Sequence, residues 1–288
     1  MYRLQTHWAN CCTQTAYICS IATWTDAAND YYFNYTVEAG EGDTAAAAAE
    51  PAHPFQVGSA PWVIRCHSFL FHRNREYHSC TDYRSDLAIS TAVTRVGRTS
   101  LDVEHDFYHA PHGGASELLV QVSSSIVIIS PKDNRPAPHG LDVHASLCAK
   151  PTFSIPTELQ DSPADATSST VLTRFSDIDG HGHVNNSVII GYLQNARLAW
   201  VAGAEAKPDG KVDRTLQDVR SMCLEFLAPA EQNETLTVSM WKSPPADGAA
   251  TQPLFFNIRK GDGTAVLRAR MDLVPIASKT ARAPESKL

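Results

Sequence analysis

The sequence predicts an α+β chain built of two repeats, each a long central helix wrapped by a curved antiparallel sheet. Three observations carry this. A strand–helix–four-strand order occurs twice, with matching elements offset by about 150 residues. The second copy holds a well-marked amphipathic helix. Between the copies, from about Pro131 to Ser169, the chain is rich in Pro, Asp, Ser and Ala, as linkers are. The implied organisation is an N-terminal repeat over 1–140, a linker over 141–169, a C-terminal repeat over 170–277 and a tail over 278–288.

In the second repeat, Thr170–Ser176 is a short strand candidate, followed by a Gly-rich turn. The helix runs from about Asn186 to Ala202. Val188, Ile189, Tyr192, Leu193, Ala196, Ala199 and Trp200 fall on one face at roughly 100° per residue. Asn185 or Asn186 can cap its start, and Gly203 can end it. Strands are expected at Gln217–Leu227, Glu234–Ser243, Pro253–Arg259 and Thr264–Val274, from β-branched and aromatic enrichment. The first repeat gives a strand at Ala16–Trp24 and a helix at Tyr31–Ala49, whose Ala45–Ala49 end also suits a surface insertion. Strands follow at Trp62–Phe71, Asp86–Arg95, Ser100–Tyr108 and Glu117–Ile129.

With 288 residues, the chain is long enough for two domains that each bury a core. Apolar residues make up 43% and charged residues 19%, which suits a folded globular protein. A net charge of −7 offers nothing to hold nucleic acid or an anionic membrane surface. No apolar run is long enough to span a membrane, and the N-terminal stretch does not suggest a secretory signal. The cysteines at 11, 12, 19, 66, 80, 148 and 223 form no Cys-x-x-Cys pair, so reduced structural thiols are expected. A homo-oligomer remains open.

The densest cluster of chemistry is Asp177-Ile178-Asp179-Gly180-His181-Gly182-His183-Val184-Asn185-Asn186, directly ahead of the amphipathic helix. A carboxylate in a loop before a helix can activate water, and helix N-terminal amides can receive a developing oxyanion. No Gly-x-Ser-x-Gly elbow is present, which disfavours a serine hydrolase of the α/β type. Asp177, Asp179, His181 and His183 also have metal-ligand character, though no metal is expected. Gly182 lets the backbone come close to a ligand.

Arg174-Phe175-Ser176-Asp177-Ile178-Asp179, Gly182-His183-Val184-Asn185-Asn186, Tyr192-Leu193 and Ala196-Arg197 resemble the hotdog thioesterases of the 4-hydroxybenzoyl-CoA and acyl-ACP group. Arg95-Val96-Gly97-Arg98-Thr99-Ser100-Leu101 and the strand after it resemble the back half of another hotdog domain. The whole chain is thus similar to double-hotdog proteins. The resemblance implies Asp179 as base or nucleophile, with Gly182, His183 and His181 around it. It places Val184, Asn185, Asn186, Tyr192 and Arg197 on the substrate side. His183 either orients water or the thioester carbonyl, or simply fixes the loop. Asp177 suits a brace. His181 departs from the acyl-ACP pattern, which has Asn there. Arg197 either meets a CoA phosphate or lies on a solvated flank. No cofactor is implied.

In the first repeat, Thr25-Asp26-Ala27-Ala28-Asn29-Asp30-Tyr31-Tyr32-Phe33-Asn34-Tyr35 is the nearest counterpart to the loop, and a degenerate, scaffold-like repeat is expected. The terminal Ser286-Lys287-Leu288 matches the address read by the peroxisomal import receptor. Peroxisome or a related organelle such as the glycosome is the expected location. It favours acyl-CoA over acyl-ACP as substrate. A non-catalytic acyl-CoA-binding or scaffold protein is the alternative.

Overall fold

A computed structural model describes residues 2–4, 22, 25–26, 61–72, 86–110, 117–139, 148–205, 217–243 and 253–275. Its strands are β1 (Tyr2–Leu4), β2 (Trp62–Phe71), β3 (Asp86–Val96), β4 (Ser100–Ala110), β5 (Glu117–Ile128), β6 (Thr167–Leu172), β7 (Gln217–Phe226), β8 (Thr235–Lys242), β9 (Pro253–Lys260) and β10 (Ala265–Pro275). One long helix, α1 (Asn186–Glu205), lies between β6 and β7.

All ten strands join one antiparallel sheet in the order β1-β3-β4-β5-β2-β7-β10-β9-β8-β6. Each half has the same internal order, and the halves meet back to back where β2 pairs with β7. Residues Cys66–Leu70 of β2 run against Ser221–Glu225 of β7. One bulge residue on each side of this seam is an arginine. Arg65 is the residue skipped between Ile64 and Cys66 in the β2–β5 register. Arg220 is the one skipped between Val219 and Ser221 in the β7–β10 register. Arg65 Nη1 donates to the Phe226 carbonyl at 2.9 Å, and Arg220 Nη1 donates to the Phe71 carbonyl at 2.6 Å. A bulge turns its extra side chain out of the pleat, and here each turned arginine clasps the far end of the opposite strand.

This overturns part of the expectation. Two repeats each wrapping a long central helix are not what the described residues contain; they contain one long helix on one continuous sheet. The expected Tyr31–Ala49 helix lies outside the described residues. Ala22, expected in a strand, is helical, as are Thr25 and Asp26. The strand expected at Thr170–Ser176 ends at Leu172, and Phe175–Asp177 form a 3-10 turn. The Asp177 carboxylate stops the strand by accepting the Arg174 N–H at 2.7 Å, a local bond that competes with the sheet ladder.

The core is continuous across the seam. Phe69, Phe71, Phe107, Val120 and Val122 from one half join Met222, Leu224, Phe256, Ile258 and Met271 from the other, all essentially fully buried. Helix α1 covers the second half with Ile189, Ile190 and Leu193. Its buried face is rotated from the one expected. Ala199 is exposed, whereas Gln194 and Arg197 are buried. These two polar chains answer each other one turn apart, Arg197 Nε donating to Gln194 Oε1 at 3.0 Å, so apolar periodicity misses them. The helix also passes through Gly203 to Glu205 rather than ending there; a helical glycine costs only about 1 kcal/mol.

Residues 148–166 cross the outer face of the sheet. Thr152 N–H and Oγ1 donate to Glu104 Oε2 at 2.9 and 2.8 Å, and Asp161 pairs with Arg268 at 3.0 Å. Cys66, Cys148 and Cys223 are free thiols, and burial, then the nearby Cys223, pushes the Cys66 thiol up to about 11. No helix among the described residues is long and apolar enough to cross a membrane.

A core shared across the seam predicts one transition. Phe69→Ala at the seam is expected to lower stability by about 3–5 kcal/mol and to shift a single thermal unfolding transition monitored by circular dichroism. A second transition left at the wild-type temperature would contradict a shared core.

Candidate active site

The loop from Asp177 to Asn185 is held from four directions. Ile178 and Val184 form an antiparallel bridge. Within it, the Asp179 N–H donates to the His183 carbonyl at 2.9 Å, and the Gly182 N–H donates to the Asp179 carbonyl at 3.1 Å. Gly182 has φ +84°, the left-handed conformation that glycine supplies without strain. The Asn185 N–H donates to the Asp177 carbonyl at 2.8 Å, and the Val184 N–H donates to the Ala230 carbonyl at 2.7 Å. Val184 itself is buried in the core, so its side chain anchors the loop.

Asn185 caps α1. Its Oδ1 accepts from the Ser187 N–H at 2.8 Å and from the Ser187 hydroxyl at 2.6 Å. Its carbonyl accepts from Val188 and Ile189 at 3.0 and 3.1 Å. The amides of Ser187, Val188 and Ile189 are therefore engaged. Asn186 opens the helix and is partly exposed.

The two aspartates do different work. Asp177 Oδ2 accepts the Tyr192 hydroxyl at 2.7 Å as well as the Arg174 N–H, and Oδ1 accepts the Ser176 hydroxyl at 3.2 Å. Burial alone would push this carboxyl up; the bonds from Tyr192, Arg174 and Ser176, with the Arg174 charge, outweigh it and hold it below the usual carboxylate range. The same pairing pushes the Tyr192 phenol up, burial first and the Asp177 bond second. Tyr192, expected on the substrate side, is thus bonded to the loop. No spacing rule would pair a loop residue with the second turn of the following helix.

Asp179 keeps a freer carboxylate. Oδ1 accepts the His181 N–H at 2.8 Å, an Asx turn of the kind that shapes such loops. Oδ2 faces His183 Nδ1 at 3.3 Å, with side-chain exposures of 17% for Asp179 and 36% for His183. His183 Nδ1 also lies 3.4 Å from the Val184 carbonyl. The His181 ring stacks on that of His183 with centroids 5.8 Å apart and is exposed. The structure therefore brings Asp179, His181, Gly182 and His183 together at the surface, with Asn185 and Asn186 beneath them. Arg197 is not with them: it is buried rather than on a solvated flank. Among the described residues, no group of three His, Cys, Asp or Glu is placed to hold a metal ion. Phe175, beside the loop, is 79% exposed, a large apolar surface next to a carboxylate.

No protein-family model and no curated protein matches the chain. Solved structures do. An acyl-ACP thioesterase from Bacteroides thetaiotaomicron is 16% identical and superposes with a TM-score of 0.53, over 74% of this chain and 76% of its own. A protein provisionally described as an oleoyl thioesterase, from Lactobacillus plantarum, is 14% identical with a TM-score of 0.55, over 76% of this chain and 78% of its own.

The Asp177 brace has a measurable pH signature. A depressed carboxyl contributes stability that is complete above its ordinary value, near 3.9, and is lost as pH falls through its folded value. Tyr192→Phe is expected to cost about 1–2 kcal/mol at pH 7, and the difference from wild type should shrink below about pH 4. Denaturant titrations at pH 7 and pH 3 check this; a pH-independent difference would show that the Asp177 bond is not its source. Over three quarters of its length, and with one continuous antiparallel sheet, the chain has the hotdog fold.

Proposed function

We propose that the chain hydrolyses an acyl-CoA to a free carboxylic acid and CoA, using Asp179 as general base or nucleophile. The observation that carries this reading is the Asp179–His183 pair, 3.3 Å apart, at the mouth of a loop capping a helix. The descriptions of the two similar structures, an acyl-ACP thioesterase and a provisionally described oleoyl thioesterase, point the same way.

The roles follow from what each atom already does. Asp179 Oδ1 is held by the His181 amide, which fixes the carboxylate and leaves Oδ2 toward His183 and solvent. As base, Oδ2 takes a proton from water while the water oxygen bonds to the carbonyl carbon; the C–S bond then breaks. His183 Nδ1, 3.3 Å from Asp179 Oδ2 and 3.4 Å from the Val184 carbonyl, keeps the imidazole beside the carboxylate. The amide of Asn186 is the helix-start donor for the oxyanion, because those after it serve the cap. Asp177 and Tyr192 set the loop's position and stay out of the chemistry.

The match of Ser286-Lys287-Leu288 to an organellar address supports CoA rather than carrier-protein thioesters in this reading. In this reading the import receptor is a partner and the peroxisome or glycosome the site of action. A tagged chain lacking these three residues is expected to stay in the cytosol on fluorescence microscopy; continued organellar import would remove that support.

Asp179→Asn is expected to lower kcat/KM for acyl-CoA hydrolysis by about 100-fold or more, with melting temperature and acyl-CoA affinity retained. Wild-type kcat/KM in this variant would sink the assignment. Faster release from acyl-ACP than from acyl-CoA would move the substrate class, and tight binding without turnover by the unaltered chain would favour a binding protein.

A further inference from the structure

Among the described residues, the helix-side face of the first half of the sheet is largely apolar, with one polar cluster. Among Phe69, Phe71, Phe107, Val120 and Val122 stand His67 on β2, Ser124 on β5 and His105 on β4, all fully buried. Ser124 and His67 are register partners, and Ser124 Oγ lies 3.0 Å from His67 Nδ1. On the far side of the ring, His67 Nε2 faces Asp26 Oδ1 at 3.4 Å. Neither of those two buried atoms makes a hydrogen bond among the described residues. His105, next along, is driven down to about 3 by burial and then by His67, so it stays neutral.

The fold does not demand these polar groups. With Arg65 and Arg220 as matching bulges, the residues corresponding to His67 and Ser124 are Met222 and Met271, register partners on β7 and β10 and fully buried. An unpartnered buried polar atom costs about 1–3 kcal/mol. A cost that one half carries and the other avoids marks a functional departure from the core pattern. Asp26 stands where such a function belongs. Thr25 and Asp26 open the segment that is the nearest counterpart of the loop ahead of α1, and both are helical. The Asp26 side chain is 24% exposed, joining the buried ring to the surface. Its distance to its imidazole matches that of Asp179 to His183.

We propose that Asp26, backed by His67 and Ser124, is the carboxylate of a second acyl-thioester site in the first repeat. The inference rests on the thioesterase reading above. Asp26 takes a proton from water as the water oxygen bonds to the carbonyl carbon. The C–S bond breaks, and the proton passes to the departing thiolate, giving acid and thiol. Ser124 donates to His67 Nδ1, which leaves the ring proton on Nε2, 3.4 Å from Asp26 Oδ1. His67 and Ser124 are positioning residues; Asp26 alone meets substrate.

Thiol release from acyl-CoA by the full chain tests this. Asp179→Asn is expected to leave a residual rate above the buffer blank, and adding Asp26→Asn should lower that residue by at least about ten-fold. No residual rate, or one that Asp26→Asn leaves unchanged, overturns the second site and leaves the loop reading intact. A wild-type rate in Asp179→Asn that Asp26→Asn abolishes does the reverse. In the Asp179→Asn background, His67→Met installs the side chain found at the corresponding place in the second half. It should lower kcat with KM unchanged and the melting temperature equal or higher. An unmoved kcat would reduce His67 to packing and overturn its positioning role.

Discussion

Backbone hydrogen bonds between β2 and β7, over Cys66–Leu70 and Ser221–Glu225, decide almost everything else about this molecule. Without them each half would present a long unpaired strand edge, an invitation to association. With them the two halves become one sheet with a core shared across the seam. The arginine bulges on either side of the seam tie each strand to the end of its partner. Because the seam relates the halves, it also sets which residues correspond, and that correspondence separates Met222 and Met271 from His67 and Ser124.

The loop ahead of α1 shows how two nearby carboxylates take different tasks. Asp177 is saturated with donors from the backbone, Ser176 and Tyr192. Such a group is a poor base, because its lone pairs are spent. Asp179, two residues on, spends one oxygen on the His181 amide and turns the other toward an imidazole and solvent. Environment rather than residue type divides the roles. The rigid parts of the loop, the Ile178–Val184 bridge and the Val184–Ala230 bond, keep Asp179 at the surface.

Strands β2, β3, β4, β5, β7, β8, β9 and β10 were legible because alternation and β-branched enrichment report a half-buried pleat. The seam was not, since nothing in a strand's own pattern names its neighbour. The buried face of α1 was half legible: Ile189 and Leu193 are where periodicity puts them, but Gln194 and Arg197 are inward because they satisfy each other. The end of β6 was lost to the Asp177 turn, a side-chain effect that propensity does not carry. At the site, Asp179, His181, Gly182 and His183, which the motif singles out, lie together in the structure. Tyr192 is bonded to Asp177, and Arg197 went into the interior. Both depend on how the helix rolls against the sheet, a tertiary outcome.

The central claim is that this fold turns over an acyl-CoA and does not merely hold it. A panel of acyl-CoA substrates, from short to long chain and aromatic, scored for free thiol with the purified full chain, tests it most directly. Release of thiol from at least one acyl-CoA, saturating with substrate, is the expected result. Saturable acyl-CoA binding with no thiol released from any member of the panel would contradict it.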